Sequence, residues 1–587
     1  MNSDRYSRSR WIVLTLGLVA VLGVSAQVGS SDTGADVLRF AIIGDRTGDH
    51  VEGVYEQVLA EMMRLRPEFI INVGDMIEGY TTDTTRLNTE WAEYKQLLKP
   101  VTVPVYLVPG NHDILSDIQE QVYLKEIGAP YYSFDERGFH FVVLDVGRWE
   151  SSEQLPADQI NWLIKDLSAN PSAVKTFVFM HKPFWYNSLA VGKPDTLHNL
   201  FVRYGVDAVF TGHFHQYFSA EYDGIKYTSL GSSGGGTDPS PSGLLYHFCW
   251  VTADADDITI APIKMGAVMP WDEMTVGEQR LVSRMQKFTV ELQPLLIGPD
   301  MKPIDGRLKL VVHNLCPTIV LQDTLRWNLP AGWHVTPALT PVTVLPNETA
   351  TLEFQAGFDG GLYPVPNMTM RIPYADGKTT TVMAPLNAAR TVTCSKAEPT
   401  PVIDGNIADR AWQNPVTTFF SPDGGSMAIE PVTFYFAYDK DNLYLAAKCT
   451  ETKMDSLAAR VVEHDGPVYT EDCVGLFIQP DRTKMTAYQI YLNPLGRAFD
   501  QKLVMSDDGY MNADREWNGR YQTLTSHGPD YWTIEAAIPW AELGVAGAPG
   551  KELGINFRRK QFRLSSSADW QAPIDYDPRT YGLLIME

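Results

Sequence analysis

The sequence predicts a multidomain chain, one layered α/β domain followed by two β-sandwiches. Three observations predict it. The chain has 587 residues, enough for about two to four domains. From 37 to about 265, short apolar runs alternate with stretches of helical periodicity. From about 289 onward the strand-like runs and turns continue alone.

Residues 1–26 read as a secretory signal. Arg5, Arg8 and Arg10 precede the apolar core "WIVLTLGLVAVLG", and "VSA" supplies small residues for cleavage after Ala26. The rival is an uncleaved anchor, because the uncharged run extends to about Ser30. A span needs about 20 apolar residues, and this core is shorter. No other stretch is long and apolar enough to span. A periplasmic or extracellular location follows. The five cysteines form no close pair, so a disulfide framework is not expected, although Cys316 and Cys394 could pair. The net charge of -23 argues against nonspecific binding to nucleic acid or anionic membrane.

After a polar linker at 27–36, the first domain is expected over 37–280. Its runs are "RFAIIGD", "EFIINVGD", "VPVYLVPGNHD", "HFVVLDV", "TFVFMHKP" and "DAVFTGHFH". Continuous apolar runs suit strands covered on both faces. Val54, Val58, Leu59, Met62 and Leu65 give 52–66 a helical period, and Ile160, Leu163, Ile164 and Leu167 do so for 157–168. Five of the six runs end in chemistry. Asp45, Asp75, "GNHD" (110–113), His181, and His213 with His215 follow them in order. Open α/β sheets bind ligands at the carboxyl ends of their strands. Carboxylates with imidazoles suit Mn, Fe or Zn. Two such ions can bridge a hydroxide and clamp a phosphoryl group.

This ordered set resembles the calcineurin-like metallophosphoesterases over about 37–265. Their pattern is D-x-H, G-D-x-x-D, G-N-H-D/E, a lone His, then G-H-x-H. The resemblance implies that Asp45 and His215 hold a first transition-metal ion and that Asp75 bridges. Asn111, His181 and His213 would hold a second. His112 would be the acid at the leaving oxygen, oriented by Asp113. The first motif departs from the pattern, because Thr47 stands where a histidine is expected. Purple acid phosphatases, distant relatives, also lack this histidine. Glu78 is ranked as the replacement ligand, directly or through water, above Tyr80 and His50. Arg46 either binds a substrate phosphate oxygen or forms a surface salt bridge. His140, His198 and His247 fit no motif and read as structural. "GSSGGG" (231–236) resembles a phosphate cradle, but with no helix start it reads as a flexible loop near the site.

The second domain, 289–394, resembles loosely the Ig-like modules attached to carbohydrate-active enzymes, and reads as a spacer. "SKAEPTP" (395–401) reads as a linker. The third, 402–587, contains "VIDGNIADRAW", "FAYDKDNLYLAAK", "YTEDCVGLFI", "WTIEAAIPWAELG" and "GINFRR". These pieces resemble the family 9 carbohydrate-binding module, which implies a polysaccharide partner and allows calcium in this domain. Sugar stacking needs open aromatic faces. Trp517 and Trp570 are the candidates, while Trp412 and Trp532 read as core. The expected activity is that of an exported phosphoesterase. It would hydrolyse a phosphate mono- or diester, glycan-linked or from the envelope, through metal-bound hydroxide. The rival is a noncatalytic extracellular protein that binds carbohydrate or metal and keeps a degenerate site.

Overall fold

The computed structural model describes residues 37–425, 429–506 and 509–587. The expected signal at 1–26 lies outside them. Among the described residues no helix is long and apolar enough to cross a membrane.

The first domain is two six-stranded sheets face to face. Its strands are β1 (Leu38–Ile43), β2 (Ile70–Asn72), β3 (Val105–Leu107), β4 (Tyr132–Glu136), β5 (Phe139–Val143) and β6 (Thr176–Phe179). They continue with β7 (Ala208–Thr211), β8 (Phe218–Tyr222), β9 (Ile225–Ser229), β10 (His247–Ala253), β11 (Ile258–Lys264) and β12 (Ala267–Val268). One sheet runs β12-β11-β10-β1-β2-β3 and the other β4-β5-β6-β7-β9-β8. The neighbours β1-β2-β3 and β5-β6-β7 are parallel, so their carboxyl ends share an edge.

The continuous apolar runs arise because each face of these strands is covered. Leu38, Phe40 and Ile42 of β1 point into the layer between the sheets. There Phe40 stacks on Phe69 at 5.1 Å and meets Phe141 and Phe177 edge-on. Truncating such a buried ring to alanine costs about 3–5 kcal/mol. Ala41 and Ile43 point the other way, onto the helices Val54–Arg64 and Thr84–Leu97. The first helix buries Tyr55, Val58, Leu59 and Met62, one stripe at helical spacing.

The helix Val276–Phe288 opens with a capping box between Thr275 and Glu278, and it runs through the expected boundary at 280. Its Val282 and Met285 join an apolar cluster that continues into the next domain through Leu308, Leu310 and Val312. That domain is two four-stranded antiparallel sheets. One is ordered Val290–Leu292, Arg307–His313, Thr349–Phe358, Trp333–Thr336. The other is Leu339–Val344, Leu321–Asn328, Asn367–Ala375, Lys378–Pro385. Leu308, Leu310 and Val312 alternate inward along their strand.

The expected linker at 395–401 starts inside a strand, because Ser395 and Lys396 close Ala388–Lys396, whereas 397–401 form no strand. The strand Ala388–Lys396 is built into the sheet of the C-terminal β-sandwich. It lies parallel to Gly582–Met586, from Thr391↔Leu583 to Cys394↔Met586, and then pairs Ser395 with Ala437. Its main-chain groups find their partners there, which a free linker could not offer. All five cysteines are buried free thiols, Cys316 and Cys394 included.

Candidate active site

The shared edge of the parallel strands carries the candidate residues. Asp45 follows β1, Asp75 follows β2, Asn111 to Asp113 follow β3, His181 follows β6, and His213 and His215 follow β7. Asp75, His181 and His213 each turn one ligand atom inward, and these atoms lie within 4.8 Å of one another. His181 Nε2 is 3.1 Å from Asp75 Oδ2 and 3.0 Å from Asn111 Oδ1. Asp45 Oδ2 lies beside them, 3.4 Å from His215 Nε2. Carboxylates, imidazoles and one amide oxygen at this spacing are a donor set that fits transition-metal ions.

The surroundings aim these atoms. His181 Nδ1 donates to the Val73 carbonyl at 2.9 Å, and His215 Nδ1 to that of Gly236 at 2.6 Å. Each ring therefore turns Nε2 toward the carboxylates, as oriented ligand histidines require. The Asp45 carboxylate accepts the His213 N–H at 3.0 Å. Asp75, His213 and His215 hold φ of 54°, 79° and 53°, strained for residues with a side chain, and such strain clusters at functional sites. The motif glycines leave room. A Cβ on Gly110 would stand 2.1 Å from Asp75 Oδ1, and one on Gly212 would stand 2.4 Å from Asp45 Oδ1.

The protein's own charges set opposed titrations here. Burial alone would raise Asp75 and lower His181. Their mutual attraction outweighs this, holding the Asp75 carboxyl below the usual range and pushing His181 up to about 9. Burial also opposes protonation of His215, and Asp45 overcomes it, again to about 9. His213 is driven well down, first by burial and then by the facing His181.

Four expectations are corrected. Arg46 is buried and does not face substrate. Its guanidinium donates to the Met76 carbonyl at 3.0 Å and pairs with Glu93. Asp113 does not orient the His112 ring. It is fully buried and accepts three main-chain N–H groups, from Met76 (3.0 Å), Ile77 (3.3 Å) and Gly110 (2.8 Å), tying the second and third motifs together. The His112 ring is held instead by Nδ1 donating to the Glu78 carbonyl oxygen at 2.8 Å. The Glu78 carboxylate pairs with His50 at 2.7 Å and belongs to no ligand group among the described residues. Trp570 is no open platform. It is 1 % exposed and stacks on Phe557 at 4.8 Å inside the C-terminal core. Trp517 stays half-buried, packed on Tyr488 at 4.7 Å.

Thr47 has a structural task. It is buried, and its hydroxyl donates to the Asp75 carbonyl at 3.1 Å. Tyr80 serves the other side, its hydroxyl accepting from Asn111 Nδ2 at 2.7 Å. The loop 231–236, expected to be flexible, is a packed strap. The N–H groups of Ser233 and Gly234 donate to the Asp45 carbonyl at 2.9 and 3.1 Å, and Ser233 Oγ accepts from Gly44 N at 2.8 Å. A Cβ on Gly235 would stand 2.2 Å from the Thr47 carbonyl oxygen. His247 is structural as expected, accepting the Gly231 N–H at 3.1 Å. In the C-terminal domain His464, Asp465 and Asp500 form a second group within 4.8 Å. Its imidazole departs from the all-oxygen set that calcium takes.

Residues 38–217 match the calcineurin-like phosphoesterase family. They form a calcineurin-like phosphoesterase domain. Residues 403–583 match the carbohydrate family 9 binding domain-like family. Among curated relatives, purple acid phosphatase 23 of Arabidopsis thaliana is 30% identical over 175 residues, which are 24% of this chain and 37% of that protein. The serine/threonine-protein phosphatase CPPED1 of Homo sapiens is 28% identical over 227 residues, 34% of this chain and 71% of that protein. The chain thus spans little more than a third of the first relative's length. A carbohydrate binding module family 9 from Caldicellulosiruptor kristjanssonii, solved with cellotriose, is 16% identical. It covers 34% of this chain and 93% of its own, with a TM-score of 0.25, too low to bear on the fold. The strand ends read from the sequence all fall within the matched residues 38–217. The strap at 231–236 and the amide cradle of Asp113 were missed, and only the buried neighbours in the fold reveal them.

Proposed function

We propose that the chain is an exported, metal-dependent phosphoesterase acting on a phosphate mono- or diester. The observation that carries this reading is the convergence of Asp75, His181 and His213 within 4.8 Å, with Asp45, His215 and Asn111 beside them. Asp75, Asn111, His181 and His213 would hold one ion, and Asp45, His215 and Asp75 the other. Bound ions would polarise the phosphoryl group and acidify water, which lets hydrolysis run near neutral pH. The other tasks fall to the protein. His112 Nδ1–H is taken by the Glu78 carbonyl, so Nε2 is the atom that meets the leaving oxygen. That nitrogen lies 3.9 Å from Asp75 Oδ2, facing the ligand cluster. Asp113 keeps the two motif loops in register by its three main-chain acceptor bonds.

The family 9-like domain supports a glycan-bearing substrate or surface, with Trp517 as the aromatic contact. The N-terminal pattern at 1–26 supports export, and a mature chain beginning at Gln27 is the expected product. The first test is phosphate release from an aryl phosphate monoester and a diaryl diester by the full chain loaded with Mn, Fe or Zn. Wild-type turnover that Asp75→Asn and His112→Ala each reduce by at least about a hundredfold is expected. No release by the wild type under any of the three metals would sink the reading in favour of a noncatalytic binding protein.

A further inference from the structure

Tyr80 sits on a tight turn that follows the second motif. Gly79 and Tyr80 hold φ of 54° and 47°, in the left-handed region that a residue with a ring seldom enters. The turn is pinned from two sides. The Gly79 N–H donates to Glu90 Oε2 at 2.9 Å, and a Cβ on Gly79 would stand 1.8 Å from the His112 carbonyl oxygen. This strained turn delivers the Tyr80 ring to the rim of the ligand cluster. There it meets the His112 imidazole edge-on, with centroids 4.4 Å apart. The Tyr80 hydroxyl accepts from Asn111 Nδ2 at 2.7 Å, and Asn111 Oδ1 lies 3.0 Å from His181 Nε2. The ring therefore spans from the acid His112 to a ligand of the second ion.

A buried tyrosine would hold Asn111 equally well. This one is 54 % exposed, and no other Phe, Tyr or Trp among the described residues of the phosphoesterase domain is exposed. Its open face borders the place where the leaving group must stand. Because the Glu78 carbonyl holds His112 Nδ1, a leaving oxygen has to come within about 2.6–3.2 Å of Nε2. The two ring centres are so close that the carbon atoms borne on that oxygen come within contact distance of Tyr80.

We propose that Tyr80 is a substrate-contact residue that selects phosphate esters whose alcohol part carries a flat ring. That ring stacks on the exposed face of Tyr80 while His112 meets the leaving oxygen. An aromatic ring and the C–H face of a pyranose present the same flat apolar surface, and a short alkyl chain does not. The Tyr80 hydroxyl has a separate, positioning task, because it turns Asn111 Oδ1 toward His181. The inference rests on the reading of the site given above and adds a substrate class to it.

The test uses the metal-loaded full chain and three esters of primary alcohols, benzyl phosphate, glucose 6-phosphate and ethyl phosphate. The wild type should prefer at least one ring-bearing ester to ethyl phosphate by about tenfold in kcat/KM, the scale of one good aromatic contact, carried mainly by KM. Tyr80→Ala should bring that preference to within about twofold. Tyr80→Asn, which tolerates the left-handed backbone, should do the same. Tyr80→Phe keeps the ring and drops the bond to Asn111, so it should slow all three esters alike and keep the preference. A preference for benzyl phosphate upholds the proposal with an aromatic ring, and one for glucose 6-phosphate alone upholds it with a pyranose. A preference that is absent from the wild type, or unchanged in Tyr80→Ala and Tyr80→Asn, overturns it. Benzylphosphonate and ethylphosphonate, which are not hydrolysed, read the same contact by calorimetry. Tighter benzylphosphonate binding that Tyr80→Ala removes, in a chain without turnover, would uphold the contact while removing the hydrolase reading.

Discussion

Gly212→Ala tests how closely the site is fitted. Gly212 is not in the left-handed region, so alanine meets no backbone penalty there. The whole effect must come from the added methyl. It would stand 2.4 Å from Asp45 Oδ1 and 3.2 Å from Val73 Cγ2, whereas ordinary contact begins at 3.4 Å. The Asp45 carboxylate must withdraw by about 1 Å, and it has little freedom to do so. The His213 N–H holds its oxygens, and the strap at 233–234 holds its carbonyl. Overpacking of this kind costs about 1–3 kcal/mol. A ligand displaced by about 1 Å should cost turnover about a hundredfold. Gly205→Ala is the control. Its φ is 70° with nothing within 4 Å of an added Cβ, so it should lose about 1 kcal/mol through backbone strain alone and keep full activity. Metal content, melting temperature and aryl phosphate turnover would be measured on the three full-length proteins. A Gly212→Ala variant with wild-type turnover and metal content would refute the close fit of Asp45.

Chelation of the metal-loaded chain should lower its melting temperature and release close to two ions per chain. Release of one would mean that Asp45 and His215 hold no ion without the missing histidine. His140 lies between Asp135 (2.7 Å) and Asp166 (2.9 Å); burial opposes its charge, but the two carboxylates raise its pKa above the ordinary value. Its contribution to stability is fully present below the unfolded value of about 6.5 and is lost as pH rises through the folded one. The melting difference between wild type and His140→Gln should therefore be larger at acidic than at alkaline pH, and a difference growing with pH would contradict the assignment. Trp570→Ala should destabilise by about 3–5 kcal/mol as a core truncation. Trp517→Ala should leave the melting temperature near wild type and abolish any cello-oligosaccharide binding seen by calorimetry. Equal melting losses in the two would refute the division.

The candidate set at the strand ends was legible because of how buried parallel strands are written. Strands such as "RFAII" and "TFVF", covered on both faces, leave unbroken apolar runs, and the polar residue that ends each run stands at the common edge. The corrections concern partners far away in sequence. Nothing near Asp113 marks it as an acceptor for amides 36 and 37 residues earlier. Arg46 is claimed by Glu93 across 47 residues. The glycines of 231–236 look like a flexible loop until the walls around them are seen. Trp570 sits among polar residues, yet Phe557 and Arg390 close over it. In each case composition describes the local chain, and packing from elsewhere decides what the side chain does.

The parallel pairing of Ala388–Lys396 with Gly582–Met586 also governs how the chain bears a mechanical load. A pull that separates the chain end from the preceding sandwich draws on the two strands from opposite ends. The hydrogen bonds between Thr391–Cys394 and Leu583–Met586 then lie across the direction of sliding and must give way together. Opened like a zipper they would fail one at a time. A protein tethered by its first domain and gripped through its last would carry tension through this ladder, which acts as a shear clamp between the two.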